Sequence, residues 1–247
     1  MIHPAEWGHW YSKDGKPAYE VPYADPSKGM RPVNLSDARK LGLLPSVTTI
    51  IQEASKPGLE RWKVTQGILS ALTLPRLPDE TLDNFAERAQ KDSQEQARKA
   101  AEKGTAIHAA IQDYYHGGTL HTEMIGYVLE TVKAVDKLAG TNFKWTVEGT
   151  IIRPDYGGKC DLHGGGFTLD FKSKEFGPDF KKLAWDEHCI QLAAYREPGD
   201  RCANVFISVN NPGLIHVHEW KEDELQRGWL MFEALKSYFY ARTGLKR

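Results

Sequence analysis

Thr168-Leu169-Asp170-Phe171-Lys172 alternates polar and apolar side chains, and its reading decides the fold. Successive side chains of a strand point to opposite faces. Asp170 and Lys172 therefore project together, while Leu169 and Phe171 turn toward a core. Just upstream, Gly158-Lys159-Cys160-Asp161-Leu162 places another lone acid, Asp161, between two apolar side chains. Two acids and a lysine on adjacent strands can hold a hard divalent cation beside a polarised water, an arrangement suited to phosphodiester hydrolysis.

Outward from this pair the same period of two continues. Phe143, Trp145 and Val147 alternate with Lys144, Thr146 and Glu148 as a strand. Strands over 159–163 and 167–172 are joined by Gly164-Gly165-Gly166. A helix over 180–196 stops at Pro198-Gly199, and strands over 204–209 and 214–220 precede an amphipathic helix over 222–242. Upstream, residues 84–116 read as a long charged helix closed by Gly117-Gly118, with Ile107, Ile111 and Tyr114 on an apolar face. Gly104, His108 and Tyr115 lie on a neighbouring stripe, and residues 123–138 form a further helix with Ile125, Val128, Leu129 and Val132 inward.

The N-terminal part is different in kind. Residues 1–45 are rich in aromatics, prolines and turn signals, and Asp14-Gly15 reads as a hairpin turn. Ser46 is an N-cap for a helix beginning at Val47, and Pro57 opens another that carries Trp62, Leu69 and Leu72 toward the interior. Residues 74–79 are a break. The expected architecture is a mixed α/β fold in which a lobe of residues 1–83 covers the active site of a core of residues 84–247.

Composition sets the outer limits. The 247 residues carry a formal net charge of −1, so any nucleic-acid contact must come from a local basic path. No apolar run approaches a membrane span, and the first residues, Met1-Ile2-His3-Pro4-Ala5-Glu6, have no signal-peptide pattern, which makes a cytoplasmic location the default expectation. Three scattered cysteines, Cys160, Cys189 and Cys202, fit free thiols and argue against an iron–sulfur cluster.

Particular side chains then suggest particular chemistry. Asp161 and Asp170 supply carboxylates for Mg²⁺ or Mn²⁺, and the Phe171 carbonyl is a possible third oxygen. Lys172 is placed to hold an attacking water or to neutralise transition-state charge. Glu148 ends its strand on the polar side, where it either supports Lys172 or a metal-bound water or faces solvent. Gly104 and His108, four apart on a helix, offer a close approach and a metal-ligating imidazole. Gln191 and Tyr195, also four apart, suit a bond to substrate phosphate or to Lys172 and a buttress behind it. Lys174, Lys181 and Lys182 form a candidate phosphate track. His216 and His218 alternate in a strand as two possible ligands with no third nearby. Trp7, Trp10, Tyr11, Tyr19 and Tyr23 either stack on bases or pack the lobe onto the core.

The ordered set Gly104-x-x-x-His108, Glu148, Gly158-x-x-Asp161, Asp170-x-Lys172 and Gln191-x-x-x-Tyr195 resembles the PD-(D/E)XK nuclease superfamily and, within it, the RecB-like exonuclease branch. Pro45-Ser46-Val47-Thr48-Thr49-Ile50, followed by Leu59-x-x-Trp62, is similar to a mitochondrial genome maintenance exonuclease and its phage-encoded relatives. The resemblance implies an αβββαβ core of restriction-endonuclease type and metal-dependent cleavage of DNA, often from single-stranded ends threaded beneath a helical arch. It implies that His108, Asp161 and Asp170 are ligands to one or two Mg²⁺ or Mn²⁺ ions, that Lys172 is catalytic, and that Ser46 and Thr48 contact phosphate unless they serve only as caps. Helicase motifs and the cysteine set of iron–sulfur members are missing, and any recombination or replication partner is left open.

Overall fold

The structure, a computed structural model, describes residues 8–55 and 57–246. The chain divides into two compact units, one running to Ala54 and resuming at Ala110, the other Ser55–Ala109. Trp7 and the residues before it lie outside the described part.

The first unit opens with β1 (Trp10–Tyr11), β2 (Glu20–Pro22), β3 (Met30–Pro32), α1 (Leu35–Leu41), β4 (Leu44–Pro45) and α2 (Val47–Ile51). The expected turn forms: Gly15 takes a φ of 88° and donates its amide to the Ser12 carbonyl at 3.0 Å. The strand partner of β1 is not the segment beyond this turn, which makes an isolated bridge between Tyr11 and Pro17, but β4. Ser46 caps α2 as expected, accepting the Thr49 amide at 3.0 Å.

The second unit contains α3 (Pro57–Thr73) and most of α4 (Leu82–Tyr115). Ser70 Oγ donates to Asp92 Oδ2 at 2.5 Å between the two helices. Trp62, Leu69 and Leu72 are not interior: they are 45%, 48% and 77% exposed. Leu59, Trp62, Val64, Ile68 and Leu72 are spread around α3 instead of forming one stripe, so a single neighbouring helix cannot cover them all.

Past α4 the first unit resumes with α5 (Ile125–Ala139), β5 (Thr146–Arg153), β6 (Tyr156–Gly164) and β7 (Phe167–Lys174). It ends with α6 (Asp186–Tyr195), β8 (Arg201–Ser208), β9 (Ile215–Trp220) and α7 (Glu222–Thr243). The five long strands form one sheet in sequence order, β5 to β9. β7 and β8 run parallel and all other neighbours run antiparallel. A parallel pair needs a crossover, and α6 supplies it.

One core cluster gathers Val47 and Ile50 of α2 with Tyr156, Ile190, Phe232 and Phe239. Another gathers Leu192, Cys202, Phe206, Trp220 and Leu225. This packing explains why the segment 1–83 divides between units: up to Ala54 it shares the core of the sheet, and from Ser55 it belongs with the helices.

The start of α6 also departs from expectation. The chain reaches Asp186, not 180, before becoming helical, because Leu183 and Ala184 are buried in a non-helical approach. His188 Nδ1 then accepts the Trp185 amide at 3.0 Å, fixing the first turn. Phe143 and Trp145 precede β5, lie tilted against each other and meet the Phe167 ring edge-on. Among the described residues, no helix is long and apolar enough to cross a membrane.

Candidate active site

The antiparallel ladder of β6 and β7 pairs Leu162 with Leu169 and His163 with Thr168. Carried on by one residue, that register sets Asp161 across from Asp170. Here a side chain enters the backbone pattern: Asp161 Oδ2 accepts the Phe171 amide at 2.6 Å. Phe171 itself is buried.

Asp170 and Lys172 project together, as the period of two requires. Lys172 Nζ lies 3.0 Å from Asp170 Oδ1 and 2.8 Å from Oδ2. The same ammonium donates to Gln191 Oε1 of α6 at 3.0 Å. An ammonium is donor-only, so it fixes the amide with its oxygen toward Lys172 and its nitrogen away from it. That nitrogen, Nε2, donates to Tyr195 Oη at 3.3 Å. Burial pushes the Tyr195 phenol well above its ordinary range, so the hydroxyl keeps its proton.

On its other side Asp170 meets β8. The parallel register aligns Asp170 with Asn204, and Asn204 Nδ2 donates to Asp170 Oδ2 at 2.8 Å. Trp220 Nε1 of β9 donates to Asn204 Oδ1, also at 2.8 Å. A continuous hydrogen-bonded chain thus runs Trp220, Asn204, Asp170, Lys172, Gln191, Tyr195 across three strands and a helix. All of its members except Lys172 are buried.

Glycine makes room for one end. A Cβ on Gly158 would fall inside van der Waals contact with the Tyr195 ring, which accounts for a residue with no side chain at that point of β6. Cys160, in the same strand, has its thiol pushed up to about 12 by burial, with Asp161 and Asp170 adding to the effect, so it is no nucleophile at neutral pH.

Glu148 takes a φ of 50°, a left-handed conformation rare for a non-glycine residue in a strand and costing of order 1 kcal/mol. The β5–β6 pairing passes it by, joining Val147 to Leu162 and Gly149 to Cys160. Its carboxylate pairs with Lys159 Nζ at 2.7 Å, so the cation it supports is Lys159 in place of the expected Lys172.

His108 and Gly104 belong to the unit Ser55–Ala109, and the two aspartates and Lys172 to the other. Among the described residues, no three His, Cys, Asp or Glu side chains are gathered as a metal-binding group. The oxygen donors of Asp161 and Asp170 nevertheless fit a hard divalent cation in chemical kind, and they come from neighbouring strands at facing register.

Most of the remaining candidates are engaged elsewhere. Ser46 is buried, and its hydroxyl lies within hydrogen-bond distance of both the Thr48 and the Thr49 hydroxyl. Lys174 Nζ donates to the Leu183 carbonyl and lies 3.3 Å from His188 Nε2, over the Phe206 ring. Lys181 is exposed, and Lys182 lies over the Trp185 ring. His216 packs on Phe180 and Phe206 and His218 on Trp220, and burial lowers the pKa of both. Trp10 and Tyr11 are core residues, while Tyr19 and Tyr23 are exposed.

Two members of the hydrogen-bonded chain, Asn204 and Trp220, are absent from the sequence-derived candidates. A signal exists for the first: Asn204 is the lone amide in the otherwise apolar run Cys202-Ala203-Asn204-Val205-Phe206-Ile207. No protein-family profile and no curated protein sequence matches the chain. Among solved structures, a protein of Eubacterium rectale carried under a provisional exonuclease assignment is similar with a TM-score of 0.42 and 13% identity, over 59% of this chain and 69% of that one.

Proposed function

We propose that the protein is a metal-dependent DNA exonuclease that hydrolyses phosphodiester bonds from single-stranded ends. The observation that carries this reading is the Lys172 ammonium held between Asp170 and Gln191, with Asp161 across from Asp170 at the point where its carboxylate enters the ladder. The element order α5-β5-β6-β7-α6-β8 supports an αβββαβ core of the PD-(D/E)XK type.

Asp161 and Asp170 would hold one or two Mg²⁺ or Mn²⁺ ions, and the Phe171 carbonyl is the further donor the reading enlists. When bound, such an ion lowers the pKa of a coordinated water and takes up charge on the scissile phosphate. Lys172 donates a hydrogen bond to the attacking water or to a phosphate oxygen and opposes the negative charge that develops there. Gln191 keeps the ammonium from folding back onto Asp170 alone, and Tyr195 keeps Gln191 in one orientation. Glu148, with its partner Lys159, borders the acids: it lies between the pairs Val147–Leu162 and Gly149–Cys160 that flank Asp161.

The test is digestion of end-labelled single-stranded, blunt duplex and closed circular DNA with Mg²⁺, with Mn²⁺ and with EDTA. The reading expects metal-dependent shortening of the single strand, an intact circle, and no cleavage by Lys172→Ala. Cleavage of the circle would replace it with an endonuclease. Undiminished digestion by Lys172→Ala would remove the assigned chemistry.

A further inference from the structure

The two side chains that close the hydrogen-bonded chain beyond Asp170 have a geometry of their own. Asn204 is fully buried and Trp220 is 8% exposed. An indole nitrogen can only donate, so the 2.8 Å contact from Trp220 Nε1 obliges Asn204 to turn Oδ1 toward the indole. The amide nitrogen must then face Asp170, where it lies 2.8 Å from Oδ2 and 3.4 Å from the main-chain oxygen. The amide is thus held between a donor on one side and an acceptor on the other, so both of its ends are assigned and its orientation is single. With Lys172 on the other flank, the carboxylate of Asp170 is gripped from two sides and its rotation about the Cβ–Cγ bond is stopped.

We propose that Asn204, locked by Trp220, is a positioning residue for Asp170, setting the plane of the carboxylate that would meet the metal. The inference rests on the nuclease reading. Neither residue touches substrate; each acts through Asp170. Groups that orient a ligand from behind change metal affinity by roughly tenfold or more when removed. Asn204→Leu keeps the size of the side chain and deletes the donor. Trp220→Phe keeps an aromatic ring at the position and deletes the N–H together with the rest of the five-membered ring, which removes one of the two contacts that hold the amide.

The experiment measures three quantities on wild type and both variants: Mn²⁺ affinity without DNA by electron paramagnetic resonance, the thermal midpoint, and kcat and KM on single-stranded DNA. Asn204→Leu is expected to weaken Mn²⁺ binding about tenfold or more and to lower kcat at fixed metal, with KM for DNA within about twofold of wild type. Trp220→Phe is expected to show the same pattern at about threefold, and it carries the test if Asn204→Leu does not fold. Wild type that binds Mn²⁺ and digests DNA, beside a folded variant that binds Mn²⁺ equally well and loses only thermal stability, would leave these residues a packing role and overturn the proposal alone. Wild type that neither binds Mn²⁺ nor digests DNA would overturn the nuclease reading and this inference with it.

Discussion

The sheet and the helical unit Ser55–Ala109 handle polar and apolar side chains in opposite ways. In the sheet and the helix α6 that crosses it, Asp170, Asn204 and Gln191 are buried, and each has named partners on both sides. In the helical unit, Trp62, Ile68 and Leu72 are exposed, and the charged groups pair along the surface, as Lys63 with Glu60 and Arg98 with Glu95. A buried polar group left unpaired costs about 1–3 kcal/mol, whereas an exposed ion pair contributes at most about 1 kcal/mol. The sheet therefore has few acceptable substitutions at its polar positions, and the helical unit has many. Four perturbations grade that contrast.

The largest effect is expected at Lys172. Lys172→Met removes the ammonium while keeping the length of the side chain, and it should lower metal-dependent cleavage by about three orders of magnitude, since removing one transition-state donor costs on that scale. Far-ultraviolet circular dichroism should be unchanged. Cleavage within tenfold of wild type would show that the charge on this strand is ornamental.

Gly158→Ala comes next. The added methyl enters the space of the Tyr195 ring, and overpacking of this sort costs about 1–3 kcal/mol. Urea unfolding followed by tryptophan fluorescence measures it. A variant as stable as wild type would mean that the ring moves aside without resistance.

The third perturbation is in the helical unit and depends on pH. The Arg88 guanidinium, hydrogen-bonded to Glu80, holds that carboxyl at about 2 against an ordinary 4.5. A depressed carboxyl contributes stability above its unfolded value and loses it as pH falls through the folded one. Arg88→Ala should therefore melt below wild type at pH 7 and together with it near pH 2, a window set by those two values. Equal melting at pH 7 would show that the pair is no more than surface decoration.

The smallest effect is expected at Leu72, 77% exposed on α3. Leu72→Ser should change unfolding free energy by no more than about 0.5 kcal/mol. A loss above about 2 kcal/mol would show that this side chain is covered in solution, and would erase much of the contrast between the two regions.

Legibility in the sequence follows the same divide. The alternation in Thr168–Lys172 was enough to bring Asp170 and Lys172 together, because strand geometry is local and leaves no second solution. Gln191 and Tyr195 could be linked for a similar reason, one helical turn apart. Asn204 could not be linked to Asp170, since their pairing depends on which strand lies beside β7 and in what register, neither of which is written in either segment. Trp220 is further still, reached only through a third strand. The failed inward placement of Trp62, Leu69 and Leu72 has the converse origin: hydrophobicity states a preference for burial, but the apolar side chains of α3 are spread around the helix, so no one neighbour covers them all. Lys174 shows the limit of reading charge alone, for its ammonium turns toward the entrance of α6.

The parallel pairing of β7 with β8 also fixes a timetable. Strands β5, β6 and β7 can zip together as successive hairpins, but the amide that grips Asp170 arrives from 34 residues further along, and only after α6 has carried the chain across. The indole that orients it comes 16 residues later again. On a ribosome, a chain that has emerged through β7 carries every acid and the lysine yet lacks the clamp on Asp170. The contacts around Asp170 are therefore completed only when the last strand of the sheet joins.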